Sequence, residues 1–228
     1  MKLFSTVLLT LLIFNSIYSQ SKFAVGVNGG LSFPVGEFTR YYEVGYGGNA
    51  QLFYGVSEDF LLSLTVGYDI WNVDQDAINN KVADKGINFM FELDSHFRII
   101  PLYLGVRYYL ARGKNRPFFS IDFGGYSYEF KLSGIANNVI PDANFPGGPI
   151  PGRTETGTKT SLALGFGYFL RVTKQLYFEI NSKYYVLTDA FTINDPEQIY
   201  DPNNPTSIYG ILGTQSFITL MAGIDYRF

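Results

Sequence analysis

Eight segments of the chain alternate between apolar and polar residues, which is the pattern of β-strands with two different faces. Around the fourth segment, for example, Leu104 and Val106 fall on one face, and Gly105 and Arg107 fall on the other. In every segment one face is apolar or aromatic and the other is polar, small or charged. The predicted strands cover about residues 23–32, 43–54, 61–71, 98–110, 118–128, 160–170, 176–186 and 217–228.

The apolar faces carry no charged residue within the length that a bilayer would cover. A lysine or arginine that faces lipid at mid-bilayer costs roughly 2–4 kcal/mol, so this shared avoidance indicates strands that face hydrocarbon. The pattern therefore predicts an all-β fold, an eight-stranded antiparallel up-and-down transmembrane β-barrel. The alternatives are a soluble sandwich, whose sheets need polar residues on one outer face, and a soluble lipocalin-like carrier.

The connections between the predicted strands alternate in length, as they do in outer-membrane barrels. Short links lie near residues 55–60, 111–117 and 171–175, and long ones near residues 33–42, 72–97, 131–159 and 187–216. An even number of strands then places both chain ends and the short turns in the periplasm and the four long loops outside. Proline and glycine residues from Pro141 to Gly152 predict irregular chain in the third loop.

The N-terminus has the organisation of a secretory signal peptide. Lys2 supplies the positive charge, residues 3–14 form an apolar stretch too short to span a bilayer, and a small residue, Ser19, precedes the predicted cleavage. We therefore assign residues 1–19 to a signal peptide and residues 20–228 to an outer-membrane β-barrel domain. No later segment has 18 consecutive apolar residues, so the sequence predicts no transmembrane helix.

Composition narrows the chemistry that the chain can perform. Charged residues make up only 16% of the chain, against roughly 25% in an ordinary soluble domain. The formal net charge is −3 and there is no run of lysine or arginine, which argues against a nucleic-acid partner. The absence of cysteine excludes disulfides, thiol catalysis and lipidation at an N-terminal cysteine. No glycine cluster has the context of a phosphate loop and no acidic cluster has EF-hand spacing, so we predict no cofactor and no metal site.

Aromatic residues at the strand ends predict two girdles at the bilayer surfaces. The lower girdle would contain Tyr54, Tyr108, Tyr168, Tyr177, Tyr226 and Phe228. The upper girdle would contain Tyr42, Tyr68, Trp71, Phe97, Tyr126 and Tyr184.

Charged residues on the polar faces point into the predicted lumen. They are Asp69, Arg107, Asp122, Glu179, Lys183, Asp225 and Arg227. An eight-stranded barrel is just wide enough for side chains to fill it, and buried charges must be paired. Because Arg107, Asp122, Glu179 and Asp225 lie at similar depth, we predict one ion-pair cluster around Arg107. A structural plug is the favoured interpretation, and a narrow ion path is the alternative.

Two segments resemble a known group of proteins. The end of the chain, Ile224-Asp225-Tyr226-Arg227-Phe228, resembles the signal by which the barrel assembly machinery recognises its substrates, with Tyr226 and Phe228 as its aromatic residues. The segment from Ile100 to Tyr109, IPLYLGVRYY, resembles the fourth strand of the outer membrane protein β-barrel group, which includes PorT-like and OmpA-like proteins. The resemblance implies the outer membrane of a diderm bacterium, in contact with lipid and lipopolysaccharide.

The sequence supports three hypotheses about function. The favoured one is a non-enzymatic barrel whose four external loops have a structural, adhesive or partner-binding role, with an external protein or surface ligand as partner. The second is a small ion or solute channel, based on the lumen charges. The third is a rim-located lipid-modifying or proteolytic enzyme, based on Asp94, Ser95 and His96. Adjacent residues of a strand point to opposite faces, so Ser95 and His96 are poorly placed to act together, and we predict no catalytic residue.

Overall fold

Eight antiparallel strands close into a barrel in a computed structural model, which describes residues 22–84, 89–138, 148–187 and 215–228. The predicted signal peptide lies outside the described residues. The elements are β1 (Phe23–Val35), a short 3₁₀ helix (Gly36–Arg40), β2 (Gly45–Gly55), β3 (Phe60–Asn72), α1 (Gln75–Asp84), β4 (Phe89–Tyr109), β5 (Asn115–Asn138), β6 (Gly148–Arg171), β7 (Leu176–Leu187) and β8 (Gln215–Arg227).

Each strand pairs with its neighbour in sequence, and the first strand pairs with the last. In that closing pair Ala24 lies opposite Arg227 and Val35 lies opposite Ser216. Closure leaves the barrel wall without the free edges that would otherwise expose backbone polar groups. The predicted fold class, an eight-stranded antiparallel up-and-down barrel, is confirmed.

The two faces of each strand point as the alternation predicts. Outward-facing Leu104 and Phe123 are 70% and 63% exposed, whereas their inward-facing neighbours Tyr103 and Asp122 are each 1% exposed. The outer surface is a continuous band of exposed apolar side chains, far larger than the apolar patches of soluble monomers. Such a band matches the hydrocarbon-facing wall of a transmembrane barrel.

Strands β4, β5 and β6 are much longer than predicted, with 21, 24 and 24 residues. Residues 89–97, 131–138 and 148–159, which the sequence assigned to loops, belong to these strands, and that assignment was wrong. Gly148, Pro149 and Gly152 lie within β6, although breakers of this kind predicted irregular chain. The extension is mostly polar on its outer face and apolar on its inner face, the reverse of the membrane-spanning part. Threonines at alternate positions from Thr154 to Thr160 also favour extended chain.

The helix α1 covers the edge of this extension on the β4 side. Strand β3 ends where Asn72 pairs with His96, so the earlier residues of β4 have no β3 partner. The Asn79 side chain takes the place of the missing strand partner. Its amide group donates to the Phe91 carbonyl at 3.1 Å and accepts from the Phe91 N–H at 2.8 Å. The Gln75 side chain accepts from the Leu93 N–H at 3.2 Å. Among the residues that the structure describes, no helix is both long and apolar enough to cross a membrane.

Five of the predicted girdle aromatics lie inside the barrel instead. They are Tyr42, Trp71, Phe97, Tyr126 and Tyr177, each at most 7% exposed. These residues have the right depth for a girdle, but in the strands they occupy inward positions of the alternation. The other seven, Tyr54, Tyr68, Tyr108, Tyr168, Tyr184, Tyr226 and Phe228, are exposed on the outer face.

Candidate functional site in the barrel lumen

The centre of the lumen holds a buried ion pair between Arg107 of β4 and Glu179 of β7. Arg107 Nη1 donates to Glu179 Oε2 at 2.7 Å and Nη2 donates to Glu179 Oε1 at 3.0 Å, a bidentate arrangement. The Arg107 Nη2 also donates to Gln51 Oε1 at 3.3 Å. The side chains of Arg107 and Glu179 are 2% and 0% exposed, so this pair is isolated from water.

Aromatic rings pack against the guanidinium of Arg107. Its carbon Cζ lies 3.9 Å from the centre of the Phe118 ring and 4.6 Å from that of Phe53. On the other side of the pair, Asn181 Nδ2 donates to Glu179 Oε1 at 2.7 Å. Gln51 and Asn181 were not predicted as site residues, although both occupy inward positions of the alternation.

Asp122 forms a second ion pair, with Lys183 and not with Arg107. Lys183 Nζ lies 2.8 Å from Asp122 Oδ2, and both side chains are buried. A Cβ on Gly105 would overlap the Asp122 carboxylate, so glycine at that position makes room for it. The sequence placed Lys183 in the lumen but not in the predicted cluster, because depth along the barrel does not show which side chains meet across it.

Asp225 joins neither ion pair. It is fully buried, and neither carboxylate oxygen has a hydrogen-bond donor among the described residues. A Cβ on Gly26 would overlap the Asp225 carboxylate, which therefore packs directly against the β1 backbone. The Asp225 carboxyl group lies close enough to the Glu179 carboxylate and the Arg107 guanidinium to interact with both electrostatically. Of the four predicted residues, the structure thus brings Arg107 and Glu179 into contact, places Asp225 near them and gives Asp122 a different partner.

Aromatic layers close the lumen above and below this polar centre. At the end with the long strands Phe38, from the 3₁₀ helix, packs against Trp71 with ring centres 5.3 Å apart, and Trp71 packs against Phe217 at 4.8 Å. At the end with the short turns Phe169 stacks on Tyr177 at 4.8 Å beside Phe53. These side chains are buried, so the charged centre lies between two apolar barriers.

The rim residues of the enzyme hypothesis point away from each other. Ser95 faces inward, where its hydroxyl donates to the Lys131 carbonyl at 2.7 Å. His96 faces outward, with Nε2 3.8 Å from Glu129, a carboxylate that also pairs with Arg98 at 2.6 Å. The structure therefore places Ser95 and His96 on opposite faces of β4.

The two aromatics of the predicted assembly signal end the chain on the outer face. The rings of Tyr226 and Phe228 lie 5.3 Å apart, edge to face. The Phe228 N–H donates to the Phe23 carbonyl at 3.2 Å, so the last residue is bound to the start of β1. Their role in assembly remains a prediction.

The closed strand order, the apolar outer face and the ion-paired interior together define the class of this protein. It is an integral β-barrel of the outer membrane, in contact with lipid around its whole circumference.

Comparison with known proteins gives likeness of fold only. No family model matches the sequence, and no curated protein matches it. Neisserial surface protein A is similar with a TM-score of 0.49 and 11% identity, covering 92% of this chain and 100% of that chain. The attachment invasion locus protein Ail of Yersinia pestis is similar with a TM-score of 0.46 and 14% identity, covering 92% of this chain and 98% of that chain. The outer membrane protein OprG of Pseudomonas aeruginosa is similar with a TM-score of 0.44 and 10% identity, covering 92% of this chain and 97% of that chain. The class assignment therefore rests on the barrel itself.

Proposed function

We propose that the protein is a sealed, non-enzymatic barrel that anchors a binding platform outside the cell. The observation that carries this proposal is the unequal length of the strands. Strands β4, β5 and β6 have 21, 24 and 24 residues, whereas β1, β2, β3, β7 and β8 have 11 to 13. At about 3.3 Å per residue, ten further residues lengthen a strand by roughly 30 Å. We call residues 89–99 of β4, 126–138 of β5 and 148–160 of β6 the external sheet.

The external sheet has the packing of a folded surface and not of a loose loop. Its inner side buries Phe91, Phe130, Leu132 and Ile150, and the helix α1 adds Ile78 to the same core. Its outer side is mostly polar, with the exposed side chains of Lys131 and of Thr154, Thr156 and Thr158, although Met90 and Ile135 are exposed as well. A stiff polar face on a membrane anchor suits an adhesive or partner-binding role. Arg98 and Lys131, just above the apolar band, would face the phosphates of lipopolysaccharide.

Shortening the external sheet tests this role. Because Phe130 pairs with Glu155, residues 131–154 can be replaced by Asn-Gly, which suits a two-residue hairpin turn. We expect the variant to fold, to keep heat-modifiable mobility on a gel and to lose most of the retention of expressing cells on protein-coated surfaces under flow. Arg171→Gln, at the periplasmic end of β6, is the control and should retain cells as the wild type does. Full retention by the shortened variant at equal surface level would refute the binding role.

The aromatic layers support a closed lumen and argue against the channel hypothesis. Ions would have to pass between the packed rings of Phe38, Trp71 and Phe217 and then through the Arg107–Glu179 pair. We expect purified protein in a planar bilayer to show no steady open level. A large, long-lived open state in most insertions would contradict the sealed barrel and favour a channel.

A further inference from the structure

A cavity of about 430 Å³ opens at the periplasmic mouth of the barrel, below the lower aromatic layer. The turns between β2 and β3 and between β4 and β5 form its wall, together with the two ends of the described chain. Buried Phe53 and Leu61 form an apolar surface inside it. This volume is in the range of sites for small ligands, which run from roughly 300 to 1,000 Å³.

Basic side chains dominate the lining of this cavity. Lys22, Arg112, Arg116 and Arg227 line it, against a single acidic lining residue, Glu58. The neighbouring carboxylate of Asp59 accepts from Arg112 Nη2 at 2.7 Å and from Arg112 Nε at 3.2 Å.

Two of the four basic residues already have partners. Arg112 lies 3.4 Å from Glu58 in addition to Asp59, and Arg116 lies 4.0 Å from Asp59 and donates to the Glu58 carbonyl. The hydrogen bond from Arg112 lowers the pKa of Asp59 below its ordinary value, so this carboxylate stays ionised at neutral pH. Glu58 and Asp59 therefore balance Arg112 and Arg116.

The other two basic residues, Lys22 and Arg227, are not balanced in this way. Within the described residues neither has a carboxylate at ion-pair distance, and each lies near an aromatic ring instead, Tyr54 at 5.9 Å and Tyr177 at 5.1 Å. Asp225, the acidic residue nearest to Arg227 in sequence, is fully buried and does not line the cavity. The mouth thus presents two cations without an ion pair among the described residues beside an apolar surface, and Arg227 interacts with Asp225 only at longer range.

We propose that this cavity binds the C-terminal end of a periplasmic peptide whose last side chain is apolar. The peptide carboxylate would accept hydrogen bonds from Arg227 and Lys22, since arginine binds carboxylates in a planar, two-point geometry. The apolar side chain would cover Phe53 and Leu61, which an inorganic anion could not do. The site faces the periplasm and is independent of the external sheet.

The test uses the full-length barrel refolded in detergent micelles and titrated by calorimetry. The probe is acetyl-Ala-Phe with a free carboxylate, compared with its C-terminal amide and with inorganic phosphate. We expect saturable binding of the acid, with the amide and phosphate each about tenfold weaker or more. Arg227→Gln and Lys22→Gln should each weaken binding of the acid about tenfold, because each removes one charged partner.

Arg40→Gln is the matched control, because Arg40 is an exposed external arginine that pairs only with Glu37 at 2.9 Å among the described residues. It should bind the acid as the wild type does. Equal binding of acid and amide, equal binding of phosphate, or unchanged affinity in the variants would each overturn the proposal. Because Arg227 lies in the predicted assembly signal, Lys22→Gln decides the question if Arg227→Gln fails to refold.

Discussion

Replacing Arg107 with alanine is expected to destabilise the folded barrel by about 3–5 kcal/mol, the usual effect of removing one partner from a buried ion pair. The change leaves Glu179 fully buried without its bidentate partner. It also removes the positive charge beside Asp225, so the acidic groups of Glu179 and Asp225 would lie together in the lumen without a cation. The measurement is unfolding by urea in lipid vesicles, followed by the fluorescence of Trp71, the single tryptophan of the chain.

Arg98→Ala provides the comparison for Arg107→Ala. Arg98 also pairs with a glutamate, but the side chains of Arg98 and Glu129 are 40% and 25% exposed. Exposed pairs contribute about 1 kcal/mol or less, so this variant should unfold almost as the wild type does. Equal effects of the two substitutions would mean that the lumen pair is hydrated and that the barrel is not sealed around it.

Leu104→Arg is expected to destabilise the inserted barrel by roughly 2–4 kcal/mol, because it places a charge in the middle of the lipid-facing wall. Leu104 lies on the outer face of β4 with 70% of its side chain exposed. In aqueous solution the same substitution at so exposed a site would have almost no effect. The measurement is again the free energy of unfolding in lipid vesicles.

The control is Leu110→Arg, just beyond the short-turn end of β4. Leu110 is 56% exposed and thus similar in exposure, but it lies at the bilayer surface, where an arginine costs roughly 0–1 kcal/mol. The difference in the free energy of unfolding between the two variants therefore depends on the depth of each site in the membrane. Equal effects at Leu104 and Leu110 would contradict the assignment of the apolar face to hydrocarbon.

The number of strands and the direction of their faces could be predicted because they depend on local alternation alone. Leu104 and Arg107 fall on the correct faces for that reason. The external sheet was not recognised because its alternation is inverted: Phe91 and Phe97 point inward and polar side chains point to water, whereas the prediction required an apolar outer face. Trp71 and Phe97 were assigned to the membrane surface by depth, although their places in the alternation point inward.

The partners of the lumen charges could not be predicted, because they lie on strands that are distant in the sequence. Lys183 reaches Asp122 from β7 to β5, and Arg107 reaches Glu179 from β4 to β7. Which residues meet depends on the stagger between strands around the closed wall, and each of the eight pairings contributes to it. The inward position of each charge was predictable, but its partner was not.

The pairing of β1 with β8 makes biogenesis of this protein all-or-nothing. The two strands that complete the ring are separated by nearly the whole chain, so they can pair with each other only when both are present in the same compartment. A product that stops short of Gln215 would expose two rows of unsatisfied peptide groups to hydrocarbon, at several kcal/mol for each group. We therefore expect incomplete copies not to insert stably into the bilayer.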